Sequence, residues 1–257
     1  MKKITTTAIV LATCLTATNV CADTLLGVFA GVQTWNMNSE GSFGQVKNGV
    51  SSSAAFIFEK ETQNSYYVAL EHPIPFIPNI KIKHNEMETK GDTTLTGTFV
   101  FGDDAFSVSS ELATSVDLTN TDFILYYEIL DNDLVTIDIG LNAKKIEGVL
   151  SVVDKNDAAH NATETFTGYV PMLYGNFEIG LPFTGLGIFA EGSLLSVGDH
   201  TLYDYEAGIG YTFIDNLAID MTIRLGYRAV KLEIQDLDDV DTNLEFDGVF
   251  LGLEAHF

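Results

Sequence analysis

Cysteine is nearly absent from the 257-residue sequence: it occurs only at Cys14 and Cys21. A chain processed after residue 22 therefore has no disulfide or thiol chemistry open to it. Basic residues are scarce, 13 Lys and Arg against 36 Asp and Glu. That balance excludes non-specific binding to nucleic-acid phosphates, which requires a cationic surface. No apolar run after residue 22 approaches the roughly 20 residues that a membrane-spanning helix requires. Proline occurs only five times. No low-complexity linker divides the chain, so it reads as one domain. A phosphate-cradling glycine loop is also missing; Gly208 and Gly210 fall inside an alternating segment, where they relieve crowding.

The N-terminus is a secretory signal by its pattern. Lys2 and Lys3 precede an apolar stretch from Ile4 to Ala17, and Val20-Cys21-Ala22 offers small residues before Asp23. Cleavage after Ala22 is expected, leaving residues 23–257. Two of the 13 basic residues and none of the 36 acidic ones go with the signal, so the mature net charge is near −25. An excess of that size keeps loops solvated.

What remains is apolar without helical spans: hydrophobic residues make up 46% of the chain, with 22 glycines. The apolar residues alternate. Leu217, Ile219, Met221, Ile223, Leu225, Tyr227 and Ala229 oppose Ala218, Asp220, Thr222, Arg224, Gly226 and Arg228. Tyr203, Tyr205, Ala207, Ile209, Tyr211 and Phe213 oppose Asp204, Glu206, Gly208, Gly210 and Thr212. Val135 to Ala143 alternates against Thr136, Asp138, Gly140, Asn142 and Lys144, and Phe123 to Ile129 repeats the pattern with Ile124 as an exception. In the first strand Leu26, Val28, Ala30 and Val32 oppose Gly27, Gly31, Gln33 and Trp35, with Phe29 the exception. Period two places the two sets on opposite faces of a strand. A sandwich core does not bury so many charges, whereas a membrane barrel turns its polar face to the lumen.

Short turns at 73–79, 131–133, 182–185 and 214–216 alternate with long connections at 36–63, 90–115, 147–163 and 235–243 and a shorter one near 198–201. The expected fold is all-β, an antiparallel transmembrane β-barrel of ten strands, with eight or twelve as alternatives and both termini periplasmic. Ala55 to Phe58 and Thr98 to Phe101 are candidate extra strands or hairpins above the membrane. The last segment alternates Val249, Leu251, Leu253 and Ala255 against Gly252, Glu254 and His256, and ends at Phe257. A terminal phenylalanine on an amphipathic strand is like the assembly signal of bacterial outer-membrane barrels.

Glu71-His72-Pro73-Ile74-Pro75-Phe76-Ile77-Pro78-Asn79 is more individual. It resembles a stretch, Glu-His-Pro-x-Pro-x-x-Pro-Asn, carried by a family of small, mostly uncharacterised proteobacterial outer-membrane barrel proteins. A second segment, Asp122-Phe123 with Leu125 to Asp131, is similar to the same family. The resemblance covers the whole mature chain and implies fold and location. It brings no catalytic residues. Read alone, the proline-rich stretch is a turn, because proline cannot donate to a strand ladder.

Few constellations carry chemistry. Asp236, Asp238, Asp239, Asp241, Asn243 and Glu245 form an acidic run, but an EF-hand read from Asp239 meets Leu244 at its glycine position and Phe250 at its glutamate position. Asp199, His200 and Asp204 at a strand top, with His160 in another loop, are the candidates for an envelope enzyme; no spacing marks a nucleophile. Neither cofactor nor metal is expected, nor catalysis. Parity and a three-residue turn at 214–216 set Glu206 opposite Arg224 inside the barrel, with Arg228, Asp204, Glu254 and His256 as further members of a lumenal ion cluster. The expected role is structural or interacting, with a side-chain-filled lumen; a narrow solute channel is the alternative and a rim enzyme the second. Expected partners are outer-membrane lipid and lipopolysaccharide, and periplasmic chaperones and the barrel-assembly machinery during biogenesis.

Overall fold

The computed structural model describes residues 26–257 except 48, 49, 133, 199, 217, 238 and 239. The expected signal segment, Asp199, Asp238 and Asp239 thus lie outside the described residues. Strands account for nearly all of the rest. They are β1 (Gly27–Lys47), β2 (Val50–Phe58), β3 (Glu61–Glu71), β4 (Asn79–Asn85), β5 (Glu88–Thr94), β6 (Phe99–Phe101), β7 (Asp104–Phe106) and β8 (Glu111–Asp117). After these come β9 (Asn120–Asp131), β10 (Val135–Asp154), β11 (Asp157–Leu181), β12 (Leu186–Val197), β13 (His200–Asp215), β14 (Asp220–Leu237) and β15 (Val240–His256).

All pairings are antiparallel. From β1 they run through β3, β4, β9, β10, β11, β12, β13, β14 and β15 back to β1, a closed ring of ten. Closure removes the sheet edges within the ring, while β11 runs on past the end of its pairing with β12 at Leu173. Val28 and Phe257 exchange backbone hydrogen bonds of 3.2 and 2.9 Å beside the 72–78 turn, so the first and last strands meet at the short-turn end. At the opposite end β2, β5 and β8 continue the wall between β1 and β10.

The expected long connections are therefore largely strand. Residues 147–163 form a hairpin that turns at 155–156, and 36–63 and 90–115 contain β2, β5, β6, β7 and β8. They read as loops because the polarity of the alternation reverses there. Near the short turns, apolar residues face out and polar residues face in. Toward the far end of β10, Ile146, Leu150 and Val152 are buried inside while Glu147, Ser151 and Val153 face out. β14 reverses between Tyr227 and Lys231, and β15 between Val249 and Asp247.

The outward belt comprises residues such as Ile80, Ile82, Leu125, Ile139, Leu141, Leu173, Ile188, Ile209, Ile223, Leu225, Leu251 and Leu253, all exposed. The far end encloses a hydrophobic core in which Phe43, Phe56, Phe99, Phe101 and Phe106 pack with Trp35, Met37, Leu150 and Phe246. Phe43 stacks on Phe56 at 4.8 Å and meets Phe101 edge-on at 5.3 Å, the β6–β7 hairpin acting as a plug.

Candidate functional site: the sealed lumen

Between the plug and the short turns the inward-facing rows are mostly polar, with Ile124, Phe189 and Phe250 among the exceptions, and the side chains meet across the lumen. Lys81 and Lys83 point inward from β4 because they alternate with outward Ile80 and Ile82. Lys81 Nζ lies 2.6 Å from Glu191 Oε1 on β12, and Lys83 Nζ lies 2.9 Å from Glu206 Oε2 on β13. Lys144 reaches Asp122 at 2.8 Å and Asp204 at 3.0 Å. Arg228, fully buried, grips Asp204 through Nε (2.9 Å) and Nη2 (2.8 Å) and gives a third bond to Ser65 Oγ at 3.0 Å. Arg224 bonds to Glu254 at 2.7 Å, and Tyr67 donates to the same carboxylate. Gly31 makes room for the Tyr67 ring, since a Cβ there would lie 2.1 Å from the ring.

The layer is balanced: five cations (Lys81, Lys83, Lys144, Arg224, Arg228) face five carboxylates (Asp122, Glu191, Asp204, Glu206, Glu254). Amides fill some of the remaining valences, Asn142 and Asn85 both donating to Asp122 at 2.6 and 2.9 Å. A buried charge is tolerated when paired and hydrogen-bonded. Every charge of the layer is paired, while Arg224 turns its Nε and Nη2 to no hydrogen-bond partner among the described residues and lies 3.8 Å over the Phe189 ring. Arg228 also lies 4.9 Å from the Trp35 ring, where the ion layer abuts the apolar plug. Two residual cavities, of about 20 Å³ each, lie at this level; one is lined by Lys83, Asp122, Asn142, Glu191 and Glu206, the other by Met87, Leu118, Lys144 and Leu202.

Toward the short turns the lumen widens into a cavity of about 490 Å³ lined by Glu71, Glu128, Asp131, Asp138, Glu178 and His256, with Lys81, Glu191, Arg224 and Glu254 as its floor. The proline-rich stretch forms its lip. Asn79 Oδ1 accepts from the His72 amide at 3.0 Å, and His72 Nδ1 accepts from the Ile74 amide at 3.2 Å, so His72 serves the turn. The two segments singled out for their family resemblance touch: Tyr126 donates to Glu71 at 2.7 Å, and Tyr127 donates to the Phe76 carbonyl at 3.0 Å.

Glu206, Arg224, Arg228 and Glu254 all point into the lumen, but Glu206 stands opposite Arg228, and Arg224 opposite Gly210. The expected Glu206–Arg224 pair does not form; Glu206 is bound by Lys83 and Arg224 by Glu254. The turn explains the error. β13 continues to Asp215, and the chain reverses at 216–219, where Asn216 Oδ1 accepts from the Ala218 amide at 3.0 Å and the Asp220 carboxylate from the Asn216 amide at 3.0 Å. Moving the turn, together with a bulge between Thr212 and Ile214, shifts each partner by four residues. Ile219 belongs to that turn and not to the outward row of β14. Asp204 is lumenal and bound to Arg228, so it does not join His200 at a rim. His160 stacks on Phe106 at 4.4 Å and lies 3.8 Å from Asp104. His256 stacks on Phe29 at 4.0 Å. Among the described residues no group of three His, Cys, Asp or Glu side chains could hold a metal ion. Phe257 ends on the outer surface, about half exposed.

No family model and no curated protein matches the chain. Among solved structures it is similar to the outer-membrane protease OmpT from Escherichia coli, at 10% identity and a TM-score of 0.42 over 90% of this chain and 96% of that one. The translocator domain of the autotransporter NalP from Neisseria meningitidis is similar at 14% identity and a TM-score of 0.41, over 90% and 88% of the two chains. The transport unit of the autotransporter AIDA-I from Escherichia coli is similar at 9% identity and 0.40, over 94% and 92%.

Proposed function

We propose that the chain is an integral outer-membrane protein whose barrel is closed to solutes and serves a structural or interaction role. The observation that carries this reading is the stacking of a charge-balanced polar layer on an apolar plug inside a ring whose outer surface is apolar. An exposed belt of isoleucine and leucine is unfavourable in water and favourable in lipid. Aromatic residues border it on both sides, as girdles do at membrane interfaces: Tyr66, Tyr169, Tyr203 and Tyr227 toward the far end, Phe76, Phe183, Tyr211 and Phe213 toward the short turns. Short turns then face the periplasm, and the plugged end faces outward. Lipid and lipopolysaccharide are the belt's partners, and the strand ending at Phe257 is the segment that the assembly machinery would engage.

The narrow-channel reading is less well supported. Each residual cavity inside the ion layer is about 20 Å³, room for roughly one water, and the 490 Å³ vestibule ends blindly on Lys81, Glu191 and Arg224. The rim-enzyme reading loses one of its expected acids, because Asp204 is bound to Arg228 and Lys144 inside the lumen. Planar-bilayer recording of the purified barrel tests the proposal. No stepwise conductance is expected; reproducible ion-selective steps would overturn it in favour of the channel.

A further inference from the structure

β11 is 25 residues long, and β10 pairs with it along its whole length, from Val135↔Ile179 to Asp154↔Asp157. Its other neighbour, β12, pairs only from Leu173 to Leu181. Among the described residues no strand pairs with the outer flank of β11 between Asp157 and Met172. The β12–β13 hairpin turns back at Val197↔His200, which the β11–β12 register sets level with Val170, so it does not run beside residues 157–169.

The direction of the free main-chain groups follows from the ladder. Gly180 donates to Leu134 O at 2.9 Å, so even-numbered residues of β11 bond toward β10. In an antiparallel ladder the direction alternates residue by residue. The register is unbroken from Ile179 to Asn161. Odd-numbered residues therefore direct their N–H and C=O groups away from β10. Pro171 has this parity, which is where a strand tolerates a residue lacking an N–H. It blunts one end of the flank. Asn161 Nδ2 caps the other by donating to Ala158 O (3.0 Å) and Ala159 O (3.3 Å). Between these stops Thr163, Thr165, Thr167 and Tyr169 each present one donor and one acceptor.

The inner row beside this flank is also incompletely covered. On β10 the inward residues Ile146, Leu150 and Val152 are buried, whereas on β11 Glu164, Phe166 and Val170 remain half-exposed on the same face. Phe166 leans on Gly148, where a Cβ would fall 2.1 Å from its ring, and Glu164 accepts from Gln45 Nε2 at 3.2 Å. Natural sheets shield a flank this long with lysine, proline or a covering segment. Here both ends are shielded and the middle is left open.

We infer that Thr163–Tyr169 is a docking edge for an extended, cationic peptide segment of another protein, which adds to β11 as a further strand. Main-chain bonds to the four odd residues would supply the binding, as in other strand-addition modes. Apolar side chains of the peptide would cover Phe166 and Val170, and a lysine or arginine would meet Glu164. The charge of the partner follows from the chain's 36 acidic against 13 basic residues.

The test uses the whole barrel in detergent and a labelled nine-residue peptide alternating valine and lysine, with fluorescence anisotropy as the readout. Thr165→Pro and Thr167→Pro remove edge donors while sparing the β10 ladder and the charge; heat-modifiability on gels confirms that each variant is folded. At least tenfold weaker binding is expected for either variant, and for a peptide N-methylated on alternate residues. A Thr165→Cys variant should displace thiopyridone from a central peptide cysteine carried as its thiopyridyl mixed disulfide and so form a disulfide with the peptide, whereas Ser151→Cys, on a strand paired on both sides, should not. Equal affinity for the proline variants, or equal cross-linking at both positions, would reduce the binding to simple charge attraction and overturn the proposal. An unbound peptide with barrels joined through two Thr165→Cys sites would assign the edge to a second copy instead and equally overturn it.

Discussion

Along β14, Ile223, Leu225 and Tyr227 face outward while Arg224 and Arg228 face inward; a few residues further on, Lys231 and Glu233 face outward while Val230 and Leu232 face inward. The strand period does not change between the two halves of the barrel; only the polarity of its faces does. The same reversal on β10 and β15 traces a boundary around the wall. On one side of it the barrel is apolar outside and ionic within, and on the other it resembles a soluble protein, with a phenylalanine-rich core and charged walls. On the proposed membrane reading, what sets the interior of each half is the medium outside it. A wall that faces lipid is free to place its charges only inward, where they must be paired.

The comparison breaks most readily at the ion layer. Asp204→Asn strands Arg228 and weakens the hold on Lys144, and should cost about 3–5 kcal/mol. Arg228→Met should fall at the lower end of that range, because Asp204 keeps Lys144 at 3.0 Å. The double variant should lose much less than the sum. Unfolding from lipid vesicles, followed by the fluorescence of Trp35, the single tryptophan, measures all three. Additive losses would mean a wet lumen in which each charge is solvated independently. In the other half, Phe101→Ala empties the centre of the plug and should cost about 3–5 kcal/mol by lost burial and residual cavity. A loss below about 1 kcal/mol there would show that the plug is loosely packed.

The outer surface gives smaller effects and sharper contrast. Ile223→Arg, within the belt, should destabilise the barrel in a bilayer by about 2–4 kcal/mol. Lys231→Ala, beyond the boundary, removes partly exposed bonds to Glu245 (2.9 Å) and Glu233 (3.2 Å) and should cost less than about 1 kcal/mol. Similar penalties at the two positions would erase the boundary.

The belt was legible because its outward rows are uniformly apolar, so Tyr203 to Phe213 and Ile223 to Tyr227 declare their faces without help. The far half was harder to read. Ile146, Leu150 and Val152 share one parity, but Gly148 interrupts them and Val149 and Val153 stand on the other side with Glu147 and Ser151, so the segment does not declare its faces. Within the lumen, parity found the inward faces of Glu206, Arg224, Arg228 and Glu254, and placed Glu254 near Arg224 and Asp204 near Arg228, but it missed Lys83 as the partner of Glu206. The turn after Asp215 moved the register, and Lys83 reaches Glu206 and Lys144 reaches Asp204 across the lumen, between strands that are not neighbours, whereas Lys144 and Asp122 are a direct cross-strand pair of β10 and β9. No strand-pairing rule connects β4 to β13. The alternation Ile80-Lys81-Ile82-Lys83 was the available signal that two lysines point inward.

The account rests on the polarity boundary being the membrane boundary. Both cysteines fall within residues 1–22, so in a chain produced from Asp23 onward single cysteines placed on the outward row of β14 can be labelled without competing thiols. Fluorophores at positions 223, 225, 227, 231 and 233, read in a bilayer against a lipid-chain quencher and an aqueous quencher, test it directly. The expected result is quenching from lipid at 223, 225 and 227 and from water at 231 and 233. Aqueous quenching along the whole row, or lipid quenching that continues through 233, would contradict it.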